Sequence, residues 1–213
     1  MQPAYITKSL VAASVNNIAT TQTPGGAGNL TLNGTTVAGG VATLDTQRQV
    51  LITQAADETG HTFTVYGTTD SGAAISEAVA GSSAASVHTN ASFKTVTQVA
   101  ISAAATGALQ VGTNGVGATP WRPVDWFTEI ANFGLSVIVT GTVNYTMNYT
   151  YEDPNNPIVA GGSPTAWPLT ALSAKAANAE GNILFPIAAV QLVINSGTGS
   201  ATLVMVQSGG DGP

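Results

Sequence analysis

Residues 135–151 read LSVIVTGTVNYTMNYTY, and this stretch decides the fold class. Side chains alternate between the two faces of a β-strand, so alternate positions share one face. One set of alternate positions is apolar or aromatic, and the other is short and polar, with Ile138 as the only clear break. The two sets are Leu135, Val137, Val139, Gly141, Val143, Tyr145, Met147, Tyr149 and Tyr151, against Ser136, Ile138, Thr140, Thr142, Asn144, Thr146, Asn148 and Thr150. The stretch predicts one long strand, or two strands bent at Gly141, with one packed face and one solvated face.

The rest of the chain repeats this pattern in shorter segments. Between residues 30 and 117, alternating runs are separated by turn residues about every ten positions, which is typical of a sandwich or barrel. Residues 190–207 contain two apolar runs around the loop SGTG and predict a terminal β-hairpin. Residues 170–180 fit a short helix or a loop equally well. We therefore predict an all-β chain of antiparallel sandwich or barrel-like units.

Two changes in amino-acid composition along the chain predict the domain organisation. The first is the flexible run TPGGAG at residues 23–28, and the second is the proline- and tryptophan-rich run TPWRPVDWF at residues 119–127. We expect an extended N-terminal arm, a first β-sandwich unit, a second β unit and a flexible tail. Their predicted bounds are 1–28, 29–118, 119–208 and 209–213.

The charge content is low and excludes several classes of partner. Only 8% of the 213 residues are charged, and the formal net charge is −6. The five basic residues are spread along the whole chain, so no cluster is present that could neutralise nucleic-acid phosphates. The sequence has no uninterrupted apolar run long enough to predict a membrane helix, and its first residues do not resemble a secretory signal. We expect neither nucleic acid nor a membrane as a direct partner.

Motifs that would carry catalysis are missing from the sequence. Cysteine is absent, and the two histidines, His61 and His88, are not part of a pattern of Asp, Glu or His residues at metal-ligand spacing. The paired acids at 57–58 and 152–153 lie in predicted turns. No nucleophile elbow, phosphate-binding loop or zinc-protease motif occurs. We expect a non-enzymatic protein without catalytic residues, cofactor or metal.

Aromatic residues supply the candidate contact site. Residues 119–127 contain two tryptophans and one phenylalanine, which offer large apolar area. This run could be a seam between the two β units, an anchor on a partner, or an aromatic cage for a ligand or sugar. Together with the aromatic residues of the long strand, it gives the predicted partner-contact residues: Trp121, Arg122, Trp126, Phe127, Tyr145, Tyr149 and Tyr151.

Two segments resemble a known class of proteins. Residues 48–121 include VLITQAADETGHTFTVYGTTDSGAAISEAVAG and VGTNGVGATPW, and residues 185–209 read FPIAAVQLVINSGTGSATLVMVQSG. Both are similar to small virion proteins encoded among the structural genes of tailed bacteriophages. The resemblance covers about half of the chain, rests on strand-and-turn patterns, and transfers no catalytic residue.

The resemblance implies a β-rich capsid cement or decoration protein. The expected partners are the major capsid protein and copies of the chain itself, with a trimer as one candidate form. The expected location is the capsid surface of a virion assembled in the host cytoplasm. Two alternatives stay open: a neck or tail adaptor or fibre-attachment component, and a carbohydrate-binding β-sandwich that uses Trp121, Trp126 or Trp167 as a platform.

Overall fold

The computed structural model describes residues 4–125, 132–156, 158 and 163–207. Within these residues the chain forms strands and one short 3₁₀ helix, Thr170–Leu172. The strands, in chain order, are β1 (Ala4–Ser9), β2 (Ser14–Gln22), β3 (Gly28–Asn29), β4 (Val37–Ala38), β5 (Val41–Gln54), β6 (Thr62–Thr68), β7 (Ala74–Ala80), β8 (Ser86–His88), β9 (Phe93–Ile101), β10 (Leu109–Ala118), β11 (Arg122–Pro123), β12 (Phe133–Thr140), β13 (Val143–Thr150), β14 (Trp167–Pro168), β15 (Ala179–Ile183), β16 (Ala189–Gly197) and β17 (Ser200–Gln207). The prediction of an all-β antiparallel fold is confirmed.

The chain divides into two compact units. We call residues 12–116 the central unit, and residues 1–11 with 117–213 the terminal unit, because the latter contains both ends of the chain. Strand β10 crosses the boundary, so that its last two residues, Gly117 and Ala118, pair with β16 inside the terminal unit.

The terminal unit contains two sheets that share one core. One sheet has the order β1-β17-β12-β15, and the other includes β14-β13-β16, with β11 also paired to β16. Buried side chains from β12 and β17 in the first sheet and from β13 and β16 in the second form one apolar cluster. The side chains that both sheets bury are therefore the apolar half of each alternating pattern.

The long alternating stretch forms two strands bent at Gly141, the second of the two forms that the sequence allowed. Gly141 has a φ of +80°, which L-residues with a side chain rarely adopt. On both sides of the bend the apolar positions face the core, whereas Ile138, the one break in the pattern, points to solvent. The predicted packed and solvated faces are thus both present.

The predicted terminal hairpin is wrong in its pairing. Strands β16 and β17 follow each other through a tight turn, but β16 pairs with β13, whereas β17 pairs with β12 and β1. The turn at residues 197–200 packs on the turn after β12, where the amides of Thr198 and Gly199 both donate to the carbonyl oxygen of Thr142, at 3.0 and 2.9 Å. Both turns therefore carry the chain from one sheet to the other.

The predicted N-terminal arm is also corrected. Strand β1 pairs along its whole length with β17 in the terminal unit, with Ala4 opposite Met205 and Ser9 opposite Ser200. Strand β2 pairs with β10 in the central unit. Both strands pair with a strand of their own unit and place side chains against its core, so most of residues 1–28 is structural.

The central unit is built on the strand order β10-β5-β9-β6-β7. The short strands β4 and β8 pair with β5, and β3 pairs with β9. Its apolar core is separate from that of the terminal unit and draws buried side chains mainly from β2, β5, β6, β9 and β10. Each unit therefore has a hydrophobic core of its own.

The segment at residues 170–180, open between helix and loop in the sequence, is mostly loop. It begins with the single 3₁₀ turn Thr170–Leu172 and ends in the start of β15. Its one long buried side chain, Leu172, packs into the terminal core. No helix in the described part of the chain is long and apolar enough to cross a membrane.

Candidate functional site: an aromatic surface on the terminal unit

Three aromatic rings meet where β13 ends. Tyr149 is the last inward-facing residue of β13, Tyr151 follows it by two positions, and Phe185 comes shortly after β15. The Tyr149 ring lies 5.7 Å from that of Tyr151 and 5.4 Å from that of Phe185, both in edge-to-face geometry. The rings of Tyr151 and Phe185 are 6.2 Å apart. These separations are those of mutually attractive aromatic pairs, so the three rings form one contiguous cluster.

Trp167 extends this cluster across the sheet. It is directly opposite Tyr149 in the pairing of β14 with β13, and opposite residues of an antiparallel pair project from the same face. We call Tyr149, Tyr151, Trp167 and Phe185 the aromatic surface. Tyr151 is 58% exposed, Trp167 50% and Phe185 38%, so most of this aromatic area faces solvent. In a chain with only 6% aromatic residues, such a concentration is an exposed apolar patch that needs an explanation.

Tyr149 is the most enclosed member of the aromatic surface. Burial, with a smaller contribution from a hydrogen bond to Tyr151, raises the pKa of Tyr149. Tyr149 also packs against the terminal core, whereas Tyr151 projects beyond the last residue of the strand. The exposed rings of Tyr151 and Phe185 therefore contact the Tyr149 ring, which packs against the core.

The Glu152 carboxylate accepts hydrogen bonds from two backbone amides near the aromatic surface. One oxygen, Oε2, accepts the amide of Ile158, and the other, Oε1, accepts the amide of Thr165, both at 3.0 Å. Ile158 is among the most exposed apolar side chains described, and Thr165 lies two residues before Trp167. A single carboxylate thus binds the backbone at Ile158 and at Thr165.

Glu152 provides a test of this arrangement by pH. The hydrogen bond from the Thr165 hydroxyl, followed by the amides of Ile158 and Thr165, lowers the pKa of Glu152 below its ordinary value of 4.5. A carboxyl whose pKa is lower in the folded state stabilises that state above its unfolded pKa, and this contribution is lost as the pH falls through the folded pKa. We expect the amide chemical shift of Thr165 to titrate with a midpoint below 4.5 and to stay constant in Glu152→Gln. A midpoint at or above 4.5 would show that the carboxylate is not held as described.

The predicted contact residues have three different outcomes: some lie on or near the face of the aromatic surface, one is buried in the core, and two lie outside the described residues. Arg122, Val190, Tyr149 and Trp167 occupy one row across β11, β16, β13 and β14, so the predicted residues Arg122 and Tyr149 share a face. Tyr151 continues this face. Trp121, the residue before β11, is only partly buried.

Tyr145 does not belong to the surface, and two further predicted residues lie outside the described part of the chain. The Tyr145 ring is fully buried in the terminal core, and its hydroxyl donates to the carbonyl oxygen of Ala177 at 3.0 Å. Alternation placed it correctly on the apolar face, but that face is packed at this depth. Trp126 and Phe127 are the two predicted contact residues that lie outside the described residues.

Two members of the aromatic surface were not among the predicted partner contacts. Phe185 follows a short strand far along the chain from Tyr149, and Trp167 lies in a two-residue strand. Neither position shows an alternating pattern long enough to reveal which face it occupies. What the sequence does show at both positions is an aromatic residue followed by proline.

The other polar clusters have structural roles. Among the described residues, no group of three or more His, Asp or Glu side chains is placed to hold a metal ion. The buried Glu58 accepts the amides of Thr106 and Gly107 and is hydrogen-bonded to Nδ1 of His61. These bonds tie the loop after β5 to the loop before β10. No known protein family matches the chain, and no curated protein matches it.

Proposed function

We propose that the chain is a non-enzymatic virion structural protein, namely a capsid cement or decoration protein that stabilises the lattice of the major capsid protein. The observation that carries this proposal is the aromatic surface, where Tyr151, Trp167 and Phe185 are exposed next to Tyr149, which packs against the terminal core. Tyrosine, tryptophan and arginine are the side chains that most often dominate the energetics of protein interfaces. Arg122 occupies the same row as Tyr149 and Trp167.

The charge distribution supports a role based on contact area. Few charged side chains means little desolvation cost when a surface is covered by protein. The described residues present buried hydrogen-bonded carboxylates and aromatic contact area. Both observations favour binding to protein on a capsid surface over recognition of nucleic acid or lipid.

The proposed mechanism is stabilisation by mass action. A protein that binds only the assembled lattice raises the stability of that lattice by its binding free energy. Because many copies bind one particle, contacts that are individually modest become collectively strong. The chain needs no chemistry for this role, and it would join particles assembled in the host cytoplasm.

The proposal predicts that Tyr151→Ala lowers incorporation into particles at least tenfold. Truncating an exposed aromatic anchor typically costs about 2 kcal/mol or more of binding free energy, whereas the fold keeps its core. Tyr66→Ala is the matched control, because Tyr66 is 40% exposed but lies on β6 of the central unit. The measurement is quantitative mass spectrometry of gradient-purified particles, made by a virus that carries each variant gene.

Two results would contradict the proposal. The first is absence of the wild-type chain from purified particles, and the second is equal incorporation of Tyr151→Ala and wild type. Copy number separates the capsid role from the alternative of a neck or tail adaptor: hundreds of copies indicate the capsid, whereas a single ring of subunits indicates the tail axis.

A carbohydrate-binding role is the second candidate, and the exposure of Trp167 favours it. A half-exposed indole next to tyrosine is a surface on which a sugar ring can stack. The aliphatic Ile158 and Leu184, both highly exposed, offer no such stacking and fit an apolar protein partner better. Binding of the purified chain on a glycan array, lost in Trp167→Ala, would favour the carbohydrate role.

A further inference from the structure

The outer face of the four-stranded sheet is a second exposed surface, separate from the aromatic surface. It contains the outward-facing alternate positions of β1, β17, β12 and β15, aligned in register. We call these residues the neutral face: Tyr5, Thr7, Ser9, Gly134, Ser136, Ile138, Thr140, Glu180, Asn182, Ser200, Thr202, Val204 and Val206. Glu180, on the edge strand β15, is the one charged side chain among them.

The neutral face has the properties of a sheet that packs against another sheet. Tyr5, Ile138 and Val206 are large apolar side chains that are nevertheless exposed, and their neighbours are short. Side chains of this size allow two sheets to approach to about 10 Å, which long charged side chains would prevent. The hydroxyls of Thr7 and Thr202 are 3.0 Å apart and form one hydrogen bond with each other. The face can therefore be covered at little desolvation cost.

We propose that the neutral face binds the neutral face of a second copy of this chain, around a two-fold axis parallel to the strands. Charge is the first argument for a copy as the occupant. Two chains of net charge −6 repel each other wherever their acids meet, and the neutral face carries only Glu180. It also lacks a basic residue that would select an acidic partner. A second copy presents the same almost uncharged face, so contact between the two faces avoids the acids on the rest of each chain.

The position of Glu180 determines the orientation. Tyr5, Val204, Ser136 and Glu180 form one row across the sheet, with Tyr5 on one edge strand and Glu180 on the other. A two-fold axis parallel to the strands superposes this row on itself in reverse order. Glu180 of one copy then faces Tyr5 of the second copy, and its carboxylate accepts a hydrogen bond from the phenol. An axis perpendicular to the strands would instead place the two β15 strands opposite each other and bring both Glu180 carboxylates to the same edge of the contact.

The size of the neutral face indicates how strong the contact is. Four strands spaced ~4.8 Å apart, with seven residues at ~3.3 Å each, cover roughly 450 Å² per copy. A pair then buries roughly 900 Å², which is close to the lower limit for a specific protein interface. The dimer is therefore expected to dissociate on dilution. The inference goes beyond the proposed function, because it concerns a different surface and holds whether or not the chain enters a virion.

Sedimentation velocity of the purified full chain over a concentration series tests the proposal. Wild type is expected to shift from the 21.3 kDa monomer towards twice that mass as concentration rises. Ile138→Lys is expected to raise the dimer dissociation constant at least 100-fold, because each dimer then covers two ammonium groups that are solvated in the monomer. Val15→Lys is the matched control, since Val15 is 46% exposed and Ile138 50%, but Val15 lies on β2 of the central unit.

A second variant tests the orientation. Tyr5→Phe keeps the ring and removes the hydroxyl that faces Glu180, so a several-fold rise in the dissociation constant is expected. No change in Tyr5→Phe would overturn the parallel axis. A wild-type chain that stays monomeric up to millimolar concentration, or equal association of Ile138→Lys and wild type, would overturn the proposal as a whole. Circular dichroism of each variant verifies that the fold is intact.

Discussion

Replacing Glu58 by alanine is expected to lower the free energy of unfolding of the central unit by about 3–5 kcal/mol. The Glu58 side chain is completely buried. It accepts the amides of Thr106 and Gly107 at 2.8 and 2.9 Å and also binds Nδ1 of His61. Alanine would remove the acceptor that both amides and the imidazole share, and it would leave a cavity where the completely buried carboxylate lies. The loss is large because every partner of the carboxylate is left unpaired at once.

A matched control shows whether the loss of stability comes from the burial of the carboxylate or from the number of its hydrogen bonds. Glu77 also accepts two backbone amides, those of Asn90 and Ala91, but its carboxylate is only partly buried, so water can replace it. We expect Glu77→Ala to cost about 1 kcal/mol. Glu58→Gln, which keeps one acceptor oxygen, should fall between the two alanine variants.

Because the chain has two compact units, two spectroscopic probes can show which unit the Glu58 substitution destabilises. All three tryptophans have sequence positions in the terminal unit, so their fluorescence reports on that unit, whereas circular dichroism reports on both. In urea, Glu58→Ala is expected to shift the circular dichroism transition of the central unit to lower denaturant concentration. A loss in Glu58→Ala no greater than that in Glu77→Ala would show that the buried carboxylate does not hold the two loops together.

Replacing Gly67 by alanine is expected to destabilise the central unit by about 3 kcal/mol. A Cβ atom at Gly67 would lie 1.8 Å from the carbonyl oxygen of Thr95 and 3.0 Å from the Phe93 ring. Thr95 belongs to β9, which pairs with β6 through a register shift between Tyr66 and Gly67. Because the obstacle is backbone, no side-chain rotation can relieve the clash, and the two strands must separate.

Gly60→Ala is the control for this substitution. A Cβ atom at Gly60 would meet nothing within 4 Å, and the residue does not have a positive φ. We expect its effect on the free energy of unfolding to stay within about 0.5 kcal/mol. Thermal unfolding of both variants beside wild type gives the comparison. Similar melting temperatures for Gly67→Ala and Gly60→Ala would mean that β6 and β9 tolerate a wider separation at the register shift.

The aromatic surface was only partly predictable from the sequence. Tyr149 and Tyr151 could be assigned to one face because they continue a long alternating run. Phe185 and Trp167 could not, since each reaches the cluster through a tertiary contact and lies outside any long periodic segment. The sequence also did not show whether a side chain on the apolar face lies at the centre of the core or at its margin. Tyr145 and Tyr149 have the same periodicity, yet Tyr145 is in the core and Tyr149 lies at its margin.

The local pattern of residues determined the main strands and the side of the 135–151 stretch that is buried, because alternation follows directly from backbone geometry. It left open whether that stretch bends at Gly141. Only the tertiary structure decided which strands pair. Strands β12, β13, β16 and β17 are all apolar on one face, so pairing across either short turn would satisfy the same pattern. The chain instead crosses between sheets at both turns, which places β12 beside β17 and β13 beside β16. Packing two sheets around one core selects this arrangement, and no short-range signal in the sequence records it.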